Sequence, residues 1–165
     1  MKKIDYMAVT EKAMAQIKEG AFLTVKAGEA LNTMTIGWAT VGFVWNKPIL
    51  MVAIRNSRHT FGIIQKAADF TVSVPLRDMQ DAIMCCGTKS GRDYDKFKAC
   101  NLEVKDAQKV VSPIINTPGL HFECKIVFQA AMDPAHLAEE YERLYPRKDY
   151  HTLYFGEIQD CYEIE

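Results

Sequence analysis

The sequence has no excess of charge of either sign: 20 Lys and Arg stand against 21 Asp and Glu in 165 residues, a net of −1. A protein that grips polyanions broadly carries a basic excess, so a general nucleic-acid binder is excluded. Disorder is excluded as well, because 48% of the residues are hydrophobic and low hydrophobicity with high net charge is what keeps a chain unfolded. No uninterrupted apolar run reaches the roughly 20 residues of a membrane span. The stretch from Ala30 to Ile54, charged only at Lys47, is broken by Asn32, Thr33, Thr35, Thr40, Asn46 and Pro48. Neither nucleic acid nor membrane is expected as a partner. The start, Met1-Lys2-Lys3-Ile4-Asp5, lacks the apolar segment of a secretory leader, which points to the cytoplasm.

Several chemical signatures are missing too. The five cysteines, Cys85, Cys86, Cys100, Cys124 and Cys161, contain no C-x2-C spacing, so neither a zinc site nor a thioredoxin-like motif is read. Reduced thiols are expected, with Cys85 and Cys86 as small buried apolar groups. None of the four histidines, His59, His121, His136 and His151, has a second ligand at metal spacing, so no metal is expected and each reads as a surface or structural polar group. No G-x-G-x-x-G follows a strand and no phosphate-binding G-x-x-x-x-G-K-[ST] occurs. Nucleophilic hydrolysis has no positive support.

What is present is a pattern of short strands. Ala21 to Val25, Thr33 to Trp38, Val41 to Trp45, Phe70 to Val74, Leu120 to Ala130 and Thr152 to Tyr162 alternate or run apolar at strand length. Ile49 to Ile54 is an unbroken apolar run between turn signals and reads as a strand buried on both faces. Helices are expected over Thr10–Lys18 with Thr10 as cap, from Ser57 to Ala68 with Ser57 or its neighbour as cap, and over Met79–Cys86 with Gly87 just beyond the end. Doubly wound sheets need a helix of 10–15 residues after nearly every strand. The pattern favours a mainly β fold, a small antiparallel barrel with short helical insertions, over residues 1–165 as a single domain.

Near-neutrality hides a split: residues 1–132 carry +5 and residues 133–165 carry −6, the latter read as a solvated acidic surface. The cations concentrate in two loops. Arg55, Ser57, Arg58 and Thr60 stand where a buried strand meets a helix start, which suits an anion such as phosphate. Lys89-Ser90-Gly91-Arg92 adds two cations and a glycine that permits close backbone approach. Taken alone, each loop also reads as an ordinary helix start or solvated turn. Asn32, Thr33, Met34 and Thr35 form a strand with one small polar face, against which a flat ring can lie.

These segments in order, Asn32-Thr33-Met34-Thr35-Ile36-Gly37-Trp38, Trp45-Asn46-Lys47-Pro48, Arg55-Asn56-Ser57-Arg58-His59-Thr60, Phe70 to Pro75, Ser90 to Phe97 and Gly156-Glu157-Ile158, resemble the flavin reductase-like, flavoredoxin-type branch of the FMN-binding split barrels. The likeness spans roughly residues 20 to 160, and the ordered set is more specific than any one motif. It implies an antiparallel, Greek-key-like split β-barrel that forms a homodimer and binds FMN. Carried over, Arg55, Ser57, Arg58 and Thr60 hold the phosphate with Ser90, Gly91 and Arg92. Asn32, Thr33, Met34, Thr35 and Ala53 face the ring system, with Trp38 and Lys96 near it. His59 departs from the tyrosine that the family places between Arg and Thr. The implied activity is an oxidoreductase passing electrons from NAD(P)H or another donor through FMN to a flavin or other acceptor. The alternative is a non-enzymatic electron carrier for a redox protein.

Overall fold

A computed structural model of the chain describes residues 2–165. Its elements in chain order are β1 (Lys2–Lys3), α1 (Tyr6–Glu19), β2 (Ala21–Ala27), β3 (Ala30–Ile36), β4 (Ala39–Val44), β5 (Lys47–Arg55), α2 (His59–Ile64), β6 (Asp69–Pro75), α3 (Gln80–Thr88), α4 (Lys96–Ala99), β7 (Val104–Lys105), β8 (Ile114–Ile115), β9 (Gly119–Ala131), α5 (Glu139–Glu142) and β10 (His151–Ile164). The main sheet runs β3-β2-β6-β9-β10-β5-β4, with β1 added beside β10 and every pairing antiparallel.

The order of that sheet dictates its shape. β3 and β4 are its two ends, yet only Gly37 and Trp38 separate them in the chain. A flat sheet of seven strands would hold its edges about 29 Å apart, whereas Ile36 to Ala39 reach about 11 Å at full extension. The sheet therefore curls until its ends meet, and β3 also approaches β5. β3 and β4 remain unbonded to each other. The result is a barrel with one seam left open, the split barrel expected from the sequence.

The barrel is filled by one cluster that includes Leu23, Val25, Leu50, Val52, Phe70, Val72, Leu120, Phe122 and Tyr154. α1 lays Val9, Ala13 and Ile17 against it. Its cap is Asp5, whose carboxylate accepts from Met7 N, and not Thr10, which lies inside the helix and donates to Tyr6 O. β5 is not buried on both faces: Leu50, Val52 and Ile54 point into the core while Met51 and Ala53 stay half-exposed. α2 is only His59–Ile64, and no side chain caps it, because the Ser57 hydroxyl is engaged elsewhere. Gly87 falls within the last turn of α3, whose cap is Lys89.

β9 is polar on one face, and in its first half that face is buried at His121 and Glu123 before it opens to solvent from Lys125, which alternation alone hides. Glu123 accepts from Gln108 N at 2.8 Å, Lys109 N at 2.6 Å and Tyr162 OH at 2.7 Å, and Asp69 accepts from Val111 N and Ser112 N. Two buried carboxylates thus satisfy the backbone of the 106–113 segment as it crosses the sheet. His121 stacks on Tyr162 and bonds Ser73 and Thr117 O.

α3 and α4 form a smaller cap with its own core of Phe22, Ile83, Cys86, Cys100, Leu102 and Ile115. Here the expectation of free thiols fails: Cys85 and Cys100 form a disulfide, while Cys86, Cys124 and Cys161 are free and buried. A separation of fifteen residues carries no recognisable motif, so only the return of the chain through α4 reveals the pair. Among the described residues no helix is long and apolar enough to cross a membrane.

Candidate functional site

The first wall of the site is β3. It pairs with β2 alone, in an unbroken register that starts from the Gly28-Glu29 turn. In such a two-residue hairpin the flanking pair, Ala27 and Ala30, is hydrogen-bonded and alternate pairs are not. The backbone N–H and C=O groups of Leu31, Thr33 and Thr35 therefore point out from the free edge. A cleft of about 170 Å³ opens beside it, lined by Met34, Thr35, Ile36, Gly37, Trp38, Ala53, Arg55, Arg58 and His151.

The small polar face expected to meet a ring is largely used inside the protein. Thr33 is fully buried, accepting from Thr24 Oγ1 at 3.1 Å and donating to Leu23 O, so its side chain does not line the cleft. Thr35 lines the cleft but its hydroxyl donates to Ile83 O at 2.6 Å. What these threonines offer a ligand is backbone.

At the far side of the cleft Trp38, Tyr145 and His151 meet. The Trp38 ring lies 4.8 Å from the imidazole of His151, whose Nδ1 is 2.8 Å from Tyr145 OH. His151 sits on β10 opposite Arg55 on β5. Burial, and then the Arg55 charge, push its pKa down to about 4, so the ring is neutral at pH 7. Its sequence context offers only a histidine before a strand, which carried no signal of a cleft.

A second pocket of about 140 Å³ adjoins the cleft, sharing Met34 and Arg58 with it. Asn32, Ser57, His59, Thr60, Thr88, Lys89, Ser90, Gly91, Arg92 and Lys96 complete its walls. No Asp or Glu lines it, and among the described residues no ion pair engages Arg58, Lys89, Arg92 or Lys96. The field is felt by its neighbours: the pKa of His59 is lowered by burial and then by Arg92 and Lys96. That of Lys96 is lowered chiefly by burial, with Arg58 adding to it. Lys96 is 5% exposed and donates to Cys86 O at 2.8 Å. Buried Thr60 accepts from Asn32 Nδ2 at 2.8 Å, tying β3 to α2. Gly91 has no room for a side chain, since a Cβ would collide with Asn32 Oδ1 and come within 2.7 Å of His59 Cδ2.

The structure thus brings together every residue singled out in the two loops and on β3 except Thr33. Two of them point elsewhere. Arg55 donates to Asp149 O at 2.9 Å and Leu144 O at 3.1 Å, with its guanidinium 5.0 Å from the Tyr145 ring centre. Ser57 donates to Asp149 Oδ2 at 2.5 Å. Asp149 and Tyr145 belong to the acidic stretch read as bland surface, and no local pattern marks their return to the site.

The chain is similar to known proteins in both sequence and fold. The family model described as flavin reductase like domain matches residues 17–165. A protein of Archaeoglobus fulgidus, described as uncharacterized, is 28% identical over 137 residues, covering 83% of this chain and 68% of that one. The flavoredoxin structure from Methanosarcina acetivorans superposes with a TM-score of 0.70 at 25% identity, over 88% of this chain and 68% of that one. The FMN-binding protein from Thermus thermophilus with bound p-hydroxybenzaldehyde gives 0.68 at 25% identity, over 88% and 71%. The chain spans about two thirds of the length of these relatives. With the family model covering nearly the whole split barrel, this chain belongs to the flavin reductase like domain family.

Proposed function

We propose that residues 1–165 act as one FMN-binding domain of an oxidoreductase, passing electrons from NAD(P)H or another donor through the flavin to a flavin or other small acceptor. The observation that carries this reading is a pocket with four cationic side chains and no acid, joined to a cleft along a free strand edge. The residues fit the group: the cations suit a phosphate, and Gly91 leaves backbone exposed where a Cβ would block. Arg58, Arg92, Lys89 and Ser90 would hold the phosphate. The outward backbone groups of Thr33 and Thr35 would bind the polar edge of the ring system, with Met34, Trp38, Ala53 and His151 as its walls. Arg55 and Ser57 contribute by bracing the 144–149 segment against the site. FMN, when bound, supplies the redox chemistry itself. Lys96 stands in the pocket wall, and no side chain needs to act as a general acid or base.

The test is spectroscopic. Purified protein should take up FMN and show its bound absorbance, and NADH or NADPH added without air should bleach it. A chain that binds no FMN sinks the proposal. Binding without bleaching by either nicotinamide favours an electron carrier, a reading that the likeness to a flavoredoxin also supports.

We further infer a homodimer. The β4–β5 turn holds Trp45 and Asn46 at φ 54° and 57°, the left-handed pair of a type I′ hairpin. It presents Trp45, 56% exposed, against Phe128 and Phe155, with Phe43 exposed beside it. Contiguous apolar surface of this kind marks an interaction site, and a second copy is the partner proposed. Sedimentation should give two chains, reduced to one by Trp45→Glu; a monomeric parent protein would overturn it.

A further inference from the structure

We propose that the Cys85–Cys100 disulfide is a reversible clasp on the cationic pocket, opened by thiol–disulfide exchange with a dithiol. It joins the last turn of α3 to the residue that ends α4. Thr88, Lys89, Ser90, Gly91, Arg92 and Lys96 of the pocket all lie inside the loop so closed.

Lys96 Nζ, donating to Cys86 O at 2.8 Å, also joins α4 to α3, while the 87–94 segment between them is lightly held. Its ties to other parts of the site are Arg92 Nη1 donating to Ser57 O at 3.0 Å and Arg58 Nη1 donating to Gly87 O at 3.3 Å. The bonds that Arg92, Asp93 and Tyr94 make to Ser90 are internal and anchor nothing. The core beneath the cap has six buried members against twenty-two in the barrel. A crosslink therefore contributes more order here than it would in the sheet.

Exchange is chemically open. Cys85 is partly exposed while Cys100 is 7% exposed, so a thiolate of the dithiol attacks Cys85 Sγ. Cys100 leaves as a thiolate and takes a proton. The second thiol of the reagent then resolves the mixed disulfide, leaving two thiols on this chain and one disulfide on the reagent. Cys86 stays out of the exchange, because burial pushes its thiol up to about 11. With the loop open, the free pocket samples more conformations and loses more on binding an anion.

The ligand side of this proposal rests on the FMN reading; the loop side does not. The experiment compares the oxidised chain with the dithiothreitol-reduced chain, and with a Cys85→Ser/Cys100→Ser variant that is open without reductant. The readouts are amide hydrogen exchange over residues 88–96 and affinity for FMN and riboflavin. Opening should speed exchange in that segment while leaving β9 and β10 protected, and should weaken FMN about tenfold but riboflavin little. Unchanged exchange after thiol titration confirms reduction would overturn the clasp, as would faster exchange with FMN affinity unchanged. If the oxidised chain binds no FMN, the functional reading fails, and exchange alone decides the clasp.

Discussion

The barrel wall and the α3–α4 cap line the same site but are held together differently. In the barrel, long antiparallel strands bury Phe70, Phe122 and Tyr154 completely, and Glu123 and Asp69 satisfy the backbone crossing the sheet. In the cap, two short helices sit over a small core and a disulfide joins them. The difference teaches where precision and adjustability reside. β3, β5 and β10 fix the cleft through a register that cannot slip without turning core side chains outward, whereas the loop carrying Lys89 to Arg92 is tied to the barrel side of the site by the bonds of Arg92 to Ser57 O and of Arg58 to Gly87 O.

The largest expected effect breaks the comparison from the barrel side. Phe122→Ala should cost about 4 kcal/mol of global stability and lower the urea midpoint for every probe together. Leu102→Ala, in the cap, should cost about 2 kcal/mol and show first as local exchange around α4. Equal, global losses would mean that cap and barrel unfold as one unit.

Next in size is the cap-side contribution to binding. Removing Arg58 and Arg92 together (Arg58→Ala with Arg92→Ala) should weaken FMN about 100-fold through lost charge-assisted bonds and leave riboflavin nearly unchanged. Equal losses for both ligands would place the phosphate elsewhere.

Acid should sharpen the contrast from the barrel side. His121 and His151, both on barrel strands, are pushed down to about 4, in each case chiefly by burial. An unfolded imidazole titrates near 6.5, so between these values the unfolded chain takes protons that the folded barrel refuses. Stability is thus full above about pH 6.5, falls by up to about 1.4 kcal/mol per pH unit for each histidine, and levels off below about pH 4. β9 and β10 should loosen first while the crosslinked cap holds. Urea midpoints at about pH 7, 5.5 and 4.5 check this, and a constant midpoint would show that both rings charge freely in the fold.

The sequence by itself determined the strands, because a half-buried strand writes its two faces into alternate residues, and the cationic loops, because charge is visible wherever it stands. It also determined the family likeness, since ordered motifs from Asn32 to Ile158 survive without knowledge of their contacts. Tertiary structure alone decided which of those residues a ligand can reach. Thr33 looks available along the strand but is consumed by Thr24 across the hairpin. Ser57 looks like a helix cap or phosphate ligand but meets Asp149, ninety-two residues away in sequence. Cys85 finds Cys100, and His151 finds Trp38, only because the chain closes a barrel on a two-residue link and folds a helical cap against β3. Periodicity records the environment of each residue, whereas partners far apart in the chain are chosen by how the sheet curls.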